Sequence, residues 1–167
     1  ARGRIWRLVY GTGANRRGPK PALSSATPNT LVQTLTHPIG WWRDTAQRLP
    51  VERGDRSVVP NLTYMAGSAV DWKTRLHALW TIDGLGAMTP AVVLKALDDA
   101  NADVRAAGVR VSEAYLRTND ATVAAAVLKK STDPAWNVRR QVAASIGELP
   151  AAARVAPAAT SFASSGS

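Results

Sequence analysis

Four arginines, Arg43, Arg75, Arg105 and Arg139, recur at gaps of 32, 30 and 34 residues. A guanidinium is permanently charged and presents a planar fork of N–H donors, so such a series can receive carboxylates or hold carbonyls. Two readings follow. The arginines form a ladder open to an acidic partner, or each pairs with a nearby carboxylate or helix carbonyl while its stem covers apolar surface. Beside the first arginine stand Trp41 and Trp42. Successive residues on a helix point in different directions, so both cannot face inward, and an exposed Trp is a favourable interface anchor. Trp41, Trp42, Arg43, Arg75, Arg105 and Arg139 are therefore the candidate partner-binding residues.

Other chemistry finds little support. His37 and His77 are the only histidines and lie 40 residues apart, so a capping or packing role is the reading for each rather than metal ligation. No Ser/His/Asp order, phosphate loop or dinucleotide fingerprint occurs, and Gly11-Thr12-Gly13 is a turn. Asp44 and the pair Asp98-Asp99 read as solvated or capping acids. No catalytic, cofactor or metal residue is assigned. Of the six tryptophans, Trp41, Trp42, Trp72, Trp80 and Trp136 fall near helix starts or in apolar stripes, and most of them are expected in the core.

The elements that would position the arginines follow from the residues around them. Three positions after each Arg comes Ala46, Ala78, Gly108 or Val142, and then apolar residues: Leu49; Leu79, Trp80 and Ile82; Val109 and Val111; Ile146 and Leu149. In the clearest case Trp72, Leu76, Leu79, Trp80 and Ile82 recur at helical spacing, and Gly84 and Gly86 end the run. Shorter apolar helices lie between, at 28–35, 57–66, 90–97 and 120–130. Thr27-Pro28 and Thr89-Pro90 supply a cap followed by proline at the first helical position. Asp103 is expected to cap or precede a helix over 104–116, and 134–149 forms the last. Pro50 should kink or shorten the helix that begins near Trp41. Two helices per unit with a period near 30–45 residues predict an all-α fold, an α-solenoid of about four helix pairs.

Outside residues 28–150 the chain changes character. Gly3–Tyr10 is rich in β-branched and aromatic residues and reads as one β-strand whose partner lies elsewhere. Residues 11–27 form a basic Gly/Pro linker, and 151–167 a flexible tail. The chain opens on Ala1 and ends in Ser and Gly, as a processed product or a fragment would. Of the 21 basic residues, six lie in the first 20 positions with no acid; the remaining 15 face 12 acids, so 21–167 is nearly balanced. That distribution argues against a nucleic-acid partner. No apolar run is long enough to span a membrane. The absence of cysteine excludes disulfides and thiolate metal sites within these residues.

Asp103-Val104-Arg105-Ala106-Ala107 and Asn137-Val138-Arg139-Arg140 resemble HEAT repeats, whose second helices often carry Val-Arg followed by small residues. Gly40-Trp41-Trp42-Arg43-Asp44-Thr45-Ala46-Gln47-Arg48-Leu49 and Arg75-Leu76-His77-Ala78-Leu79-Trp80-Thr81-Ile82-Asp83-Gly84-Leu85 are similar to a narrower group. These are large secreted dehydrogenase-like proteins in which a β-propeller, similar to sorbosone and glucose dehydrogenases, precedes the HEAT region. A haem-binding cytochrome c domain often follows. Gly3-Arg4-Ile5-Trp6-Arg7-Leu8 looks like the last propeller strand. The resemblance implies a periplasmic or secreted setting and a non-catalytic scaffold module beside a propeller, a cytochrome domain or another protein. The chain has no propeller body and no Cys-x-x-Cys-His, so no catalytic residue or cofactor carries over. A nucleic-acid-binding α-solenoid and a HEAT-like bilin lyase are the alternatives.

Overall fold

The structure, a computed structural model, describes residues 22–151 and 153. The described residues are mostly helical, and no strand occurs among them. The strand expected at 3–10, the linker over 11–21 and the tail beyond 153 lie outside them.

Local chemistry sets the helix starts. Helix α1 (Pro28–Thr34) begins where the Thr27 hydroxyl accepts the Thr30 N–H at 3.2 Å. Helix α5 (Pro90–Leu97) repeats the device, with Thr89 accepting from Val92. In both, proline occupies a first-turn position whose N–H would have no helical acceptor. Asp71 caps α4 (Trp72–Gly84) and Asp120 caps α8 (Ala121–Lys129). Helix α3 (Val59–Ser68) follows a 3-10 turn and tolerates Pro60 in its first turn.

Three boundaries differ from expectation. Helix α2 (Gly40–Arg53) is not cut short at Pro50; it runs on to the expected stop at Gly54, whose φ of +63° is the left-handed conformation that glycine adopts freely. Pro50 removes a donor only in the last turn, and its ring is buried there. The cap of α6 (Ala102–Val111) is Asn101, which accepts from Asp103 and Val104 N–H, so Asp103 is already helical. The stretch 104–116 is not one helix: buried Ser112 bonds back to the Val109 carbonyl at 2.6 Å, and α7 (Glu113–Arg117) starts afresh. The last helix, α9 (Trp136–Ser145), is followed by a 3-10 turn.

Packing is pairwise and serial. Helices α1 and α2 pack together, as do α3 with α4 and α5 with α6. Helices α2, α4, α6 and α9 then touch in succession, and α3, α5 and α8 form a second row. Between the rows lie Leu35, Leu62, Leu79, Ile82, Val93, Leu97, Val104, Leu116 and Val138, all essentially excluded from water. Residues 22–27, which the sequence places in the linker, pack as well: Leu23 is buried, and Arg53 donates to the carbonyls of Ser24 and Ala26 at 2.9 and 2.8 Å.

The small residue three positions after each arginine is a packing site. Ala46, Ala78, Gly108 and Val142 are all buried. At Gly108 an added Cβ would stand 3.0 Å from the backbone of Ala96 and Leu97, so even a methyl group would force α5 and α6 apart. Gly108→Ala should therefore destabilise the fold by about 1–3 kcal/mol in urea unfolding, although Ala is the better helix former. Gly147→Ala, where nothing lies within 4 Å, is the control and should be close to neutral.

Candidate functional site

The arginine series shares one bonding pattern. In each case Nη1 donates to the carbonyls six and five residues back, in the turn that opens the helix. Arg43 reaches His37 and Pro38 at 2.7 and 3.0 Å, and Arg75 reaches Ala69 and Val70 at 2.8 and 3.1 Å. Arg105 reaches Asp99 and Ala100 at 2.9 and 3.0 Å, and Arg139 reaches Asp133 and Pro134 at 2.6 and 2.9 Å. The turns leave these carbonyls without helical donors, and the fork supplies them.

The other edge of the fork, Nε with Nη2, distinguishes the four. Arg75 grips Asp99 at 2.6 and 2.7 Å, and Arg105 grips Asp133 at 2.8 Å through both nitrogens. Each is a two-point ion pair between adjacent helix pairs, with little exposure on either side. Each aspartate also accepts a backbone N–H two residues on, from Asn101 at 2.8 Å and Ala135 at 3.0 Å. Both edges of Arg75 and Arg105 are thus engaged within the chain. Arg139 is exposed, and its second edge has no partner among the described residues.

At Arg43 the pattern breaks. The residue six before Arg75 is Ala69, where the residues six before Arg105 and Arg139 are Asp99 and Asp133. The Arg43 Nε is buried and has no hydrogen-bond partner. Leaving a buried donor of this kind unpaired costs about 1–3 kcal/mol. Contacts between α2 and α4 come instead from His77, whose Nδ1 lies 2.7 Å from Gln47 Oε1 and whose Nε2 lies 4.0 Å from Asp44. The Thr74 hydroxyl adds a bond to the Leu35 carbonyl at 3.2 Å.

Of the adjacent tryptophans, Trp42 stacks on His37 with centroids 4.7 Å apart. Trp41 meets Trp42 edge-on at 5.9 Å and is 53% exposed. Trp136 corrects the expectation of a core position: it is 64% exposed, as the first residue of α9, and lies under the Arg140 guanidinium at 4.9 Å. Asp99 corrects the solvated reading. Sequence reasoning gave neither ladder aspartate a pairing role, although their fixed place six residues before an arginine was available as a signal.

A second charged cluster lies toward the helix C-termini. Glu113, buried, accepts the Ser145 hydroxyl at 2.7 Å and pairs with Arg110, while Arg117 reaches Glu148 at 2.7 Å. Arg110, Glu113 and Arg117 line a hollow with Trp80 and Asp83. Among the described residues no group of three His, Asp or Glu converges as a metal site, and no helix is long and apolar enough to cross a membrane. Compared with known proteins, the chain matches no family model and no curated protein.

The ladder makes stability depend on the aspartates. Asp133→Asn keeps an acceptor for Ala135 but loses the charge, and should cost roughly 1–3 kcal/mol in urea unfolding. Asp133→Ala leaves Arg105 unpaired and should cost about 3–5 kcal/mol. Asp99 should behave alike. A loss below about 0.5 kcal/mol for Asp133→Ala, the level of an exposed pair, would show that the rung contributes nothing.

The pH dependence has two stages. Burial, then the charge of Arg43, pushes His77 below its ordinary value, against the opposing pull of Asp44 and Asp71. The unfolded chain therefore takes up that proton first, and stability falls as pH drops below about 6.5. Burial would raise Asp99, but the Arg75 hydrogen bonds and the Asn101 N–H outweigh it and hold the carboxyl below the usual range. Hydrogen bonding from Arg105, against burial, lowers Asp133 in the same way. Their contribution is present above about pH 3.9 and is lost as pH falls through the folded-state values. Urea unfolding at pH 8, 5 and 3 should show both losses, and His77→Gln should remove the first alone.

Proposed function

We propose that residues 28–150 form an α-solenoid of about four HEAT-like helix pairs. On this reading the chain is a non-catalytic interaction or scaffold module of a periplasmic or secreted, propeller dehydrogenase-like protein. The repeated arginine clamp and the serial contact of α2, α4, α6 and α9 support the architecture. The setting rests on the likeness of residues 40–49 and 75–85 to the HEAT regions of such proteins.

One observation carries the interaction reading. Ile39, Trp41, Val70 and Trp136 are 57%, 53%, 100% and 64% exposed. They stand at or next to the N-terminal ends of α2, α4 and α9, on the edge that carries the arginine ladder. Tyr64, within α3, is the other large exposed side chain of this kind among the described residues; four of the five thus share one edge, an arrangement that a docked protein would cover. An adjacent propeller or a c-type cytochrome domain is the partner the resemblance suggests.

Size-exclusion chromatography with light scattering tests this, using the chain mixed with a purified sorbosone-dehydrogenase-like propeller or a cytochrome c domain. A complex is expected with at least one. Trp41→Ser combined with Trp136→Ser should weaken it at least about tenfold while leaving the helical circular dichroism unchanged. A chain that elutes alone beside both would sink the proposal.

A further inference from the structure

The break in the ladder at Arg43 has the form of a binding site. Arg75 and Arg105 show what the free edge of this fork takes: a carboxylate, held through Nε and Nη2. Arg43 is oriented by the same pair of turn carbonyls, so its free edge is fixed before anything binds. No described residue supplies the carboxylate, because Ala69 stands where the aspartate would be.

Two details of the backbone sharpen this. Ala69 has φ −62° and ψ 137°, and Asp133 has φ −56° and ψ 138°. The turn therefore has the conformation of a working rung and lacks only the side chain. At the position three before the arginine, the other three helices carry Trp72, Ala102 and Trp136, whereas α2 carries Gly40. A Cβ at Gly40 would touch Arg43 Nη2 at 3.6 Å and meet nothing else within 4 Å, so space lies open beside that nitrogen. Exposed Ile39, Trp41 and Val70 flank the opening.

We propose that Arg43 receives the side-chain carboxylate of an acidic residue in a partner protein's peptide segment, with a neighbouring apolar side chain of that segment seated on Ile39, Trp41 and Val70. The inference rests on the interaction reading above and names its site. A charge-assisted hydrogen bond from Nη2 favours a carboxylate, and charge complementarity selects Asp or Glu over Asn or Gln. The carboxylate meets Nη2 from the Gly40 side, and the buried Nε beside it reports the arrival of the charge. The partner thereby supplies a carboxylate that no described residue provides.

The test is a titration of the full chain, labelled with nitrogen-15, followed through the Arg43 Nε–H resonance. The probes are the acetylated, amidated peptide Ala-Leu-Asp-Leu-Ala and its Asn counterpart. The Asp peptide should move that resonance saturably and bind at least about tenfold more tightly than the Asn peptide. Ala69→Asp should fill the rung from within, move the Arg43 signal toward those of Arg75 and Arg105, and abolish the titration. Gly40→Val, which obstructs Nη2 without disturbing the ladder, should weaken binding by a similar factor. Equal binding of the two peptides would overturn the proposal, as would an Ala69→Asp protein that still binds the Asp peptide like the parent. Binding that moves only distant resonances would overturn this site while leaving the wider interaction reading intact. Conversely, failure to join a propeller or cytochrome domain would leave the peptide result to stand by itself.

Discussion

Each reversal between paired helices leaves carbonyls that no helical N–H can reach, and one arginine per pair resolves the problem in the same way. By donating Nη1 to the carbonyls five and six residues back, the side chain ties the first turns of its helix to the loop before it. That fixes the guanidinium plane, and with it the direction of Nε and Nη2. The second edge must then point across the boundary to the next pair. The Asp99 and Asp133 carboxylates are found there because that is where a preset fork can take them, and their backbone N–H acceptances hold them in return. The buried alanine or glycine one turn further along lets the helices approach closely enough for the reach to succeed.

The boundaries that result are unequal. Between the third pair and the segment from α8 to the turn after α9, Arg105 with Asp133 is joined by Arg117 with Glu148, Lys130 with Asp98, Asn137 with Asp103, and buried Ser145 with Glu113. Between the first and second, the polar contacts are the bonds of Thr74 and His77 and a distant approach of Asn61 to Asn29 at 3.4 Å. Apolar packing runs through both. The first boundary therefore depends more on its core and on the neutral form of one histidine.

The arginine period and the small residue after it were legible in the sequence because both belong to a repeated packing site, where geometry restricts the choice at every turn. Proline-led helix starts were legible for the same reason: Thr27-Pro28 and Thr89-Pro90 act within one turn of chain. The aspartate rungs were not, since an acid just before a helix is also what a cap looks like. Asp133 sits near the start of α9 yet does not accept from its first helical N–H groups, and Asp99 does its main work 24 residues away. The end of α6 at Ser112 escaped because it depends on a hydroxyl turning back to the Val109 carbonyl, a choice that hydropathy does not record. Trp136 was misplaced because its position in an apolar pattern says nothing of whether a further element covers it.

A buried ion pair is a poor source of net stability, since desolvation consumes much of what the attraction supplies. Its better-attested role is to fix register, and the spacing here favours that role. Arg75 and Arg105 each find their carboxylate on the following pair only if neighbouring pairs align helix start to helix start. A slip of one turn, about 5.4 Å, would leave both a guanidinium and a carboxylate unpaired out of water, a far larger cost than any packing gained. The ladder thus holds α4, α6 and α9 in one alignment and presents their shared edge as a fixed surface. Rigidity of that kind serves recognition, because a surface already in its bound shape loses little entropy when a partner arrives. The exposed tryptophans sit on the aligned edge, and Arg43 is an inner fork whose second edge no described residue fills, so the constraint that aligns the helices also marks where a partner's carboxylate would act.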